Sequence, residues 1–326
     1  MNTEPLEISN LMKNESPVFI VGAPRSGSSI LYRTLQRHSS FNLKKSQSDE
    51  GVNLVESRCF KDPYSTYSPS NNSSSLAYMM GDNDNCYRQF LNATQGIQNR
   101  QRILVCKSLW QLICPQSNLS RLRKFIWNAS YNDHLLRIFF YYAKEARGID
   151  RIIEKTPQHI LYLPEIKETF PNAKLLFIHR HPVNVFSSYQ KRLLKSIEEG
   201  MNQSKLSWLR ISPRSFCHKY ARYIQLAITE NKDNPRGFML IQYESFTSKP
   251  QETIAQICSF IEEPYEPNCI PDDRNQNPSW KVDKNLFSGI KKDTNNGKFL
   301  TNESDARLIE DRLHDIMLQL GYPRYT

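Results

Sequence analysis

The chain has 326 residues, with 43 Lys and Arg against 33 Asp and Glu, a formal net charge of +10. Its 39% hydrophobic content, with 16 Phe, 16 Tyr and 4 Trp, is that of a folded protein and excludes disorder over the whole length. No apolar run approaches the roughly 18 residues of a transmembrane segment, so no membrane-spanning part is expected.

The first sixteen residues are polar and include Glu4, Glu7 and Glu15. They lack the basic and apolar regions of a signal peptide. The seven Cys are scattered and none forms a CxxC pair. That pattern points to free thiols, no zinc site and a cytoplasmic location.

From residue 17 to 22 the sequence PVFIVG is a continuous apolar run, as in a buried parallel strand. A Gly/Ser turn and a helical pattern over 29–37 follow it. Short apolar runs recur at 102–106, 151–154, 174–179 and 237–242, with helical patterns at 131–147, 159–169, 182–195, 213–231 and 250–261. A last amphipathic stretch over 302–320 stops at Gly321, with Pro323 just beyond. Strands alternating with helices predict an α/β fold with a central parallel sheet flanked by helices. Two segments break this rhythm, at 57–100 and 265–300. They are expected to be surface inserts on one domain spanning 1–326.

The strongest chemical signal is the turn Gly22-Ala23-Pro24-Arg25-Ser26-Gly27-Ser28-Ser29 between the first strand and helix. Backbone N–H groups there, at a helix N-terminus, form an anion cradle. The two glycines are spaced as in a P-loop, but Ser28 and Ser29 stand where Lys and Ser/Thr are required. The lysine that would reach the β- and γ-phosphates is missing, and Arg25 lies inside the loop instead. A ligand other than a Mg-nucleoside triphosphate is therefore predicted.

The strand at 174–179 ends in Arg180-His181-Pro182, where a phosphotransferase often carries an Asp for Mg²⁺. Ser188 follows two helical turns on. A guanidinium and a hydroxyl together suit a phosphate monoester, although Ser188 shares a side with Arg180 only if the loop folds back. A third stretch, Glu154-Lys155-Thr156-Pro157-Gln158-His159, follows another strand. Pro157 keeps Thr156 extended, which puts Lys155 at a strand's carboxyl end, the ligand edge of open α/β sheets. Lys155 could meet a leaving oxygen and His159 could relay a proton. A solvated lysine and a core or capping histidine are the plain alternatives.

Together these residues resemble the PAPS-dependent sulfotransferases, in their bacterial-type branch. The turn 22–29 is similar to that family's 5′-phosphosulfate loop, and Arg180 with Ser188 to its 3′-phosphate pair. The Glu-Lys-Thr-Pro-x-His stretch, Phe170-Pro171-Asn172-Ala173-Lys174, Tyr243-Glu244 and Leu320-Gly321-Tyr322 also fit. The likeness covers 17 to about 322, leaving out 57–130. It implies a three-layer P-loop NTPase-like fold, with PAPS as co-substrate, 3′,5′-ADP as product and no obligatory metal. It implies cofactor contacts from Arg25, Ser26, Gly27, Ser28, Ser29, Arg180, Ser188 and Tyr243. Lys298 joins them by likeness to a late basic loop, although the expected Arg-Lys-Gly is absent.

The acceptor's proton needs a base within hydrogen-bond reach. The candidates are Glu56, beside the apolar pair Leu54-Val55, and His159. Asp49 and Glu50 lie in a more polar stretch. The acceptor itself is not written in the sequence. Tyr64, Tyr67, Tyr78 and Tyr87, the aromatic helix at 131–147 and the 193–212 stretch with Trp208 are its candidate walls. They suit a lipid, polyketide, phenolic, glycan or peptide hydroxyl. Competing readings are a P-loop kinase or NTPase, a non-catalytic nucleotide-binding module of the same fold, and a nucleic-acid binder. The last finds no recognition motif and no basic stripe, so no nucleic-acid partner is expected.

Overall fold

The computed structural model describes residues 5–42, 54–55, 57, 59–60, 132–202, 206–270, 290 and 301–326. Five strands form one sheet: β1 (Val18–Gly22), β2 (Leu54–Val55), β3 (Ile153–Lys155), β4 (Lys174–His179) and β5 (Phe238–Gln242), in the order β2-β3-β1-β4-β5. β2 runs parallel to β3 with Val55 opposite Lys155, and β4 parallel to β5 with Ile178 opposite Ile241. All five residues of β1 are buried, which explains its unbroken apolar sequence. The expected parallel α/β architecture is present. The run at 102–106 lies outside the described residues, as do most of 57–130 and 265–300.

Contacts group the chain into two compact units, Met1–Phe19 with Gln36–Lys174 and Ile20–Leu35 with Leu175–Thr326. β1 passes from one to the other. In the first, α1 (Pro5–Lys13) packs on α3 (Asn132–Arg147). Phe19 centres a ring cluster with Phe60, Phe140 and Phe170, at centroid distances of 5.7, 6.0 and 6.0 Å. Buried Arg137 donates to the carbonyls of Glu168 and Thr169, closing the end of α4 (Leu163–Thr169) where carbonyls lack helical partners. The helical pattern at 159–169 is in fact two pieces. A 3-10 turn over Pro157–Tyr162 precedes α4, because Pro164 sits in the first turn of that helix and starts it anew.

The second unit holds α2 (Ser28–Leu35), α5 (Pro182–Glu198), α6 (Pro213–Asp233), α7 (Tyr243–Ser248), α8 (Pro250–Phe260), α9 (Glu303–Arg312) and α10 (His314–Gln319). Ser212 and Asn302 cap α6 and α9 by accepting from the backbone N–H of Ser215 and Asp305. Gly321, at φ 70°, ends α10 in the left-handed region where glycine costs least. The pattern over 302–320 is therefore broken once, at Leu313, into two helices.

Candidate active site

The loop after β1 is shaped by its backbone. Ser26 N–H returns to the carbonyl of Ala23 at 3.2 Å, closing a turn with Pro24 and Arg25 at its centre. Proline presets φ near −65° at the first central position, and Arg25 holds φ 75° at the second, the pattern of a type II turn. That second position favours glycine, so an arginine there is held under strain. Gly27, at φ 104°, then turns the chain into α2. A Cβ on Gly22 would stand 2.7 Å from the carbonyl oxygen of Ile178, and one on Gly27 2.3 Å from the Tyr243 ring. The two glycines thus serve different ends. One lets β1 approach the β4 backbone, and the other admits an aromatic ring against the loop.

Arg25 Nε donates to Ser188 Oγ at 3.3 Å, so the loop reaches the second turn of α5. Arg180 follows β4, and its guanidinium carbon lies 4.4 Å from the centroid of the Tyr243 ring. Tyr243 is therefore wedged between Gly27 and Arg180, tying the ends of β1, β4 and β5 at one place. Tyr220 donates its hydroxyl to the Arg180 carbonyl at 2.7 Å. Glu244 accepts the His181 N–H at 2.9 Å and the Tyr322 hydroxyl at 3.1 Å. Burial raises the Glu244 carboxyl above its ordinary value, against the lowering effect of those hydrogen bonds and of Arg180. Ser26 is fully buried, and its Oγ has no partner. Arg25, Ser188 and Arg180 are each half-buried, so the loop after β1 and the start of α5 carry a cationic, donor-rich set of side chains suited to an anion.

In the first unit, Thr156 is extended at φ −135° and ψ 105°, as Pro157 requires, and Lys155 before it is only 4% exposed. Glu154 is fully buried and collects its neighbours. Ser57 donates to it through Oγ at 2.7 Å, Thr156 through Oγ1 at 2.6 Å, and His159 Nδ1 lies 3.0 Å from Oε2. Burial alone would raise this carboxyl. The field of His159, with hydrogen bonds from His159, Thr156 and Ser57, outweighs it and holds the pKa below the ordinary value. The His159 ring is 0% exposed, edge-on to Phe60 at 5.2 Å and near Phe19 at 6.5 Å.

Residues 17–267 match the sequence description of the sulfotransferase family, well over half of the chain. The chain belongs to the sulfotransferase family. A Caenorhabditis briggsae relative, named as a protein-tyrosine sulfotransferase, is 27% identical over 123 residues, which are 38% of this chain and 41% of that one. The match thus spans less than half the length of that curated relative. Among solved structures, the sulfotransferase domain of the Synechococcus PCC 7002 olefin synthase superposes with a TM-score of 0.50 and 14% identity, over 95% of this chain and 96% of that one. The sulfotransferase domain of the curacin biosynthetic pathway gives a TM-score of 0.49 and 18% identity, over 95% and 99%.

For a sulfotransferase the described residues divide as follows. Arg25, Ser26, Gly27, Ser28, Ser29, Arg180, Ser188 and Tyr243 all belong to the second unit, on the loop after β1, the start of α2, the β4–α5 turn, the second turn of α5 and the start of α7. Lys155 and His159 belong to the first. Glu56 and Lys298 lie outside the described residues, as do Tyr64, Tyr67, Tyr78 and Tyr87. His159 is wholly buried, with its ring beside Glu154, Phe19 and Phe60, an environment that matches the core alternative for this histidine. Trp208 is 53% exposed and edge-on to Tyr189 at 6.0 Å, whereas Phe139 and Phe140 are core. Sequence reasoning missed that Glu154 gathers Ser57, Thr156 and His159 in the interior, because a buried carboxylate looks like any other in the sequence. It also missed Tyr220, whose hydroxyl holds the Arg180 carbonyl from a helix with no motif. Among the described residues no cluster of three or more His, Cys, Asp or Glu is placed to hold a metal, and no helix is long and apolar enough to cross a membrane.

Proposed function

We propose that this enzyme moves the sulfuryl group of PAPS to a hydroxyl or amine of an acceptor and releases 3′,5′-ADP. The observation that carries this reading is the tie from Arg25 to Ser188 together with the Gly27–Tyr243–Arg180 wedge. It supports one nucleotide subsite built from three strand ends. In this reading the loop amides with Arg25, Ser26, Ser28 and Ser29 take the phosphosulfate, Arg180 and Ser188 take the 3′-phosphate, and Tyr243 orients Arg180.

As the acceptor oxygen attacks sulfur, the sulfur–oxygen bond to the 5′-phosphate breaks and negative charge grows on the bridging oxygen. Fixed cationic donors stabilise that charge without reorganising. We assign Arg25 to it, and Lys155 by its place in the Glu-Lys-Thr-Pro motif. The acceptor's proton goes to Glu56, which the burial of His159 favours as the base. Lys298 is assigned to the 3′-phosphate by the same likeness. The acceptor is a lipid, polyketide, phenolic, glycan or peptide hydroxyl. A cytoplasmic setting is supported by the buried free thiols of Cys59, Cys217, Cys258 and Cys269.

The test is labelled sulfuryl transfer from PAPS into fractionated extract of the source cells, with Arg25→Ala as control. A labelled product made by the wild type and lost in the control is expected. Equal labelling by the two proteins overturns the reading. Thermal stabilisation by Mg-ATP in preference to 3′,5′-ADP overturns it in favour of a kinase.

A further inference from the structure

We infer that Tyr322, which lies outside the nucleotide loop, is a positioning residue that sets the enzyme's affinity for the 3′-phosphate through Arg180. The inference rests on the proposed assignment of Arg180 to that phosphate.

Arg180 is the middle of three residues, and both of its chain neighbours are bound by the segment around Tyr322. His179 Nδ1 lies 2.8 Å from the Tyr322 hydroxyl, and that hydroxyl donates to Glu244 Oε2 at 3.1 Å. The other oxygen of Glu244 accepts the backbone N–H of His181 at 2.9 Å. One hydroxyl has a single proton to give, so with Glu244 as its acceptor it must receive the N–H of His179. This sets a direction: His179 to Tyr322 to Glu244, and from Glu244 back to the peptide that follows Arg180. Next to it, His181 Nε2 meets the Pro323 carbonyl at 2.9 Å, and the His181 ring stacks on Tyr325 at 3.8 Å.

The segment carrying these groups is itself anchored. Glu310, on α9 and 0% exposed, accepts the backbone N–H of Tyr325 at 2.7 Å and of Thr326 at 3.2 Å. Tyr322 is 6% exposed and edge-on to His179 and His181, with centroids 5.6 and 5.4 Å away. The consequence falls on Arg180. With the His179 ring and the His181 peptide held on either side and its carbonyl fixed by Tyr220, its side chain is directed over Tyr243 before any ligand arrives. A guanidinium ordered in advance loses less freedom on binding, and that saving appears as affinity for the group it meets. A ligand lacking the 3′-phosphate does not draw on it.

The readout is the ratio of the dissociation constants of 3′,5′-ADP and 5′-AMP, measured by calorimetry on the full chain. Tyr322→Phe keeps the ring and removes the hydroxyl. It is expected to weaken 3′,5′-ADP roughly tenfold while leaving 5′-AMP within about twofold, the scale of one lost hydrogen bond to a buried polar group. Glu244→Gln should shift the ratio in the same direction, and it serves where Tyr322→Phe does not fold. Arg180→Ala should abolish the preference. If Arg180→Ala does so while the other two variants keep the wild-type ratio, Tyr322 does not position Arg180 and the inference fails. If Arg180→Ala also keeps the ratio, the 3′-phosphate assignment fails, and the inference with it.

Discussion

Arg25 donates from Nε to the Oγ of Ser188 at 3.3 Å, joining the loop after β1 to the second turn of α5 across 163 positions of sequence. The arginine pays for this in backbone strain, at φ 75° in a turn position that favours glycine. Backbone strain of this kind clusters at functional sites, which makes Arg25 a position to test for its side chain.

Arg25→Gly separates the two effects. Glycine relieves a left-handed backbone worth about 1–2 kcal/mol, so Tm should not fall below wild type. Sulfuryl transfer should drop roughly 100-fold or more, because a charge-assisted donor is gone from the developing anion. Ser188→Ala should keep Tm and raise the KM for PAPS about 10- to 150-fold, the scale of one hydrogen bond to a charged group. Activity assays paired with thermal melts check both, and a destabilised but active Arg25→Gly would contradict the strain argument.

Gly27 supplies a second test. Alanine there meets two obstacles, φ 104° and a Cβ 2.3 Å from the ring of Tyr243. Tyr243→Ala in the same chain removes the second alone. Gly27→Ala should therefore weaken 3′,5′-ADP binding strongly, and the double variant should recover part of the lost Tm but not the binding. Full recovery of binding would mean that the ring, and not the backbone, sets the loop's shape.

How much of this was legible before folding depends on what each feature requires. β1 and β4 were readable because strands buried on both faces leave continuous apolar runs, and Pro182 marked the start of α5. Arg180 and Ser188 stood out in the sequence as a pair only through their resemblance to a family motif. Their link was not readable, because it passes through Arg25 and Tyr243, brought together only by the order β1-β4-β5. For His159 the sequence left a proton relay and a core residue both open, since it cannot distinguish a solvent-facing imidazole from one closed in by Phe19 and Phe60. The two-residue β2 carried no periodicity to detect. It is a strand only because β3 stands beside it.

His179 gives a pH dependence with a definite sign. Burial holds its pKa down to about 4, from an ordinary 6.5. The unfolded chain therefore takes up the proton first as pH falls, so this contribution to stability is complete above pH 6.5 and is lost on the way down to 4. The drop from 6.5 to about 4 corresponds to about 3 kcal/mol. Denaturant melts at several pH values should show this slope in the wild type. In His179→Gln the slope should be flattened between pH 6.5 and 4, and an unchanged slope there would show that His179 is not its source.

His159 and Glu154 form a buried pair whose carboxyl is held below its ordinary value, although burial alone would raise it. Such a carboxylate stabilises the fold above its unfolded pKa, and the stabilisation is lost as pH falls through the depressed folded value. Glu154→Gln should accordingly lower Tm at pH 7 and flatten the acid limb of the stability curve below about pH 4.5. His159→Asn should lower Tm as well, while the pH profile of kcat in the folded fraction stays where it was. Glu56→Gln should do the reverse, keeping Tm and reducing kcat by about 10²- to 10⁴-fold, the range for a lost general base. A kcat profile that moves with His159 and not with Glu56 would return the proton transfer to the histidine, and would require the Phe60 side of its cage to open during turnover.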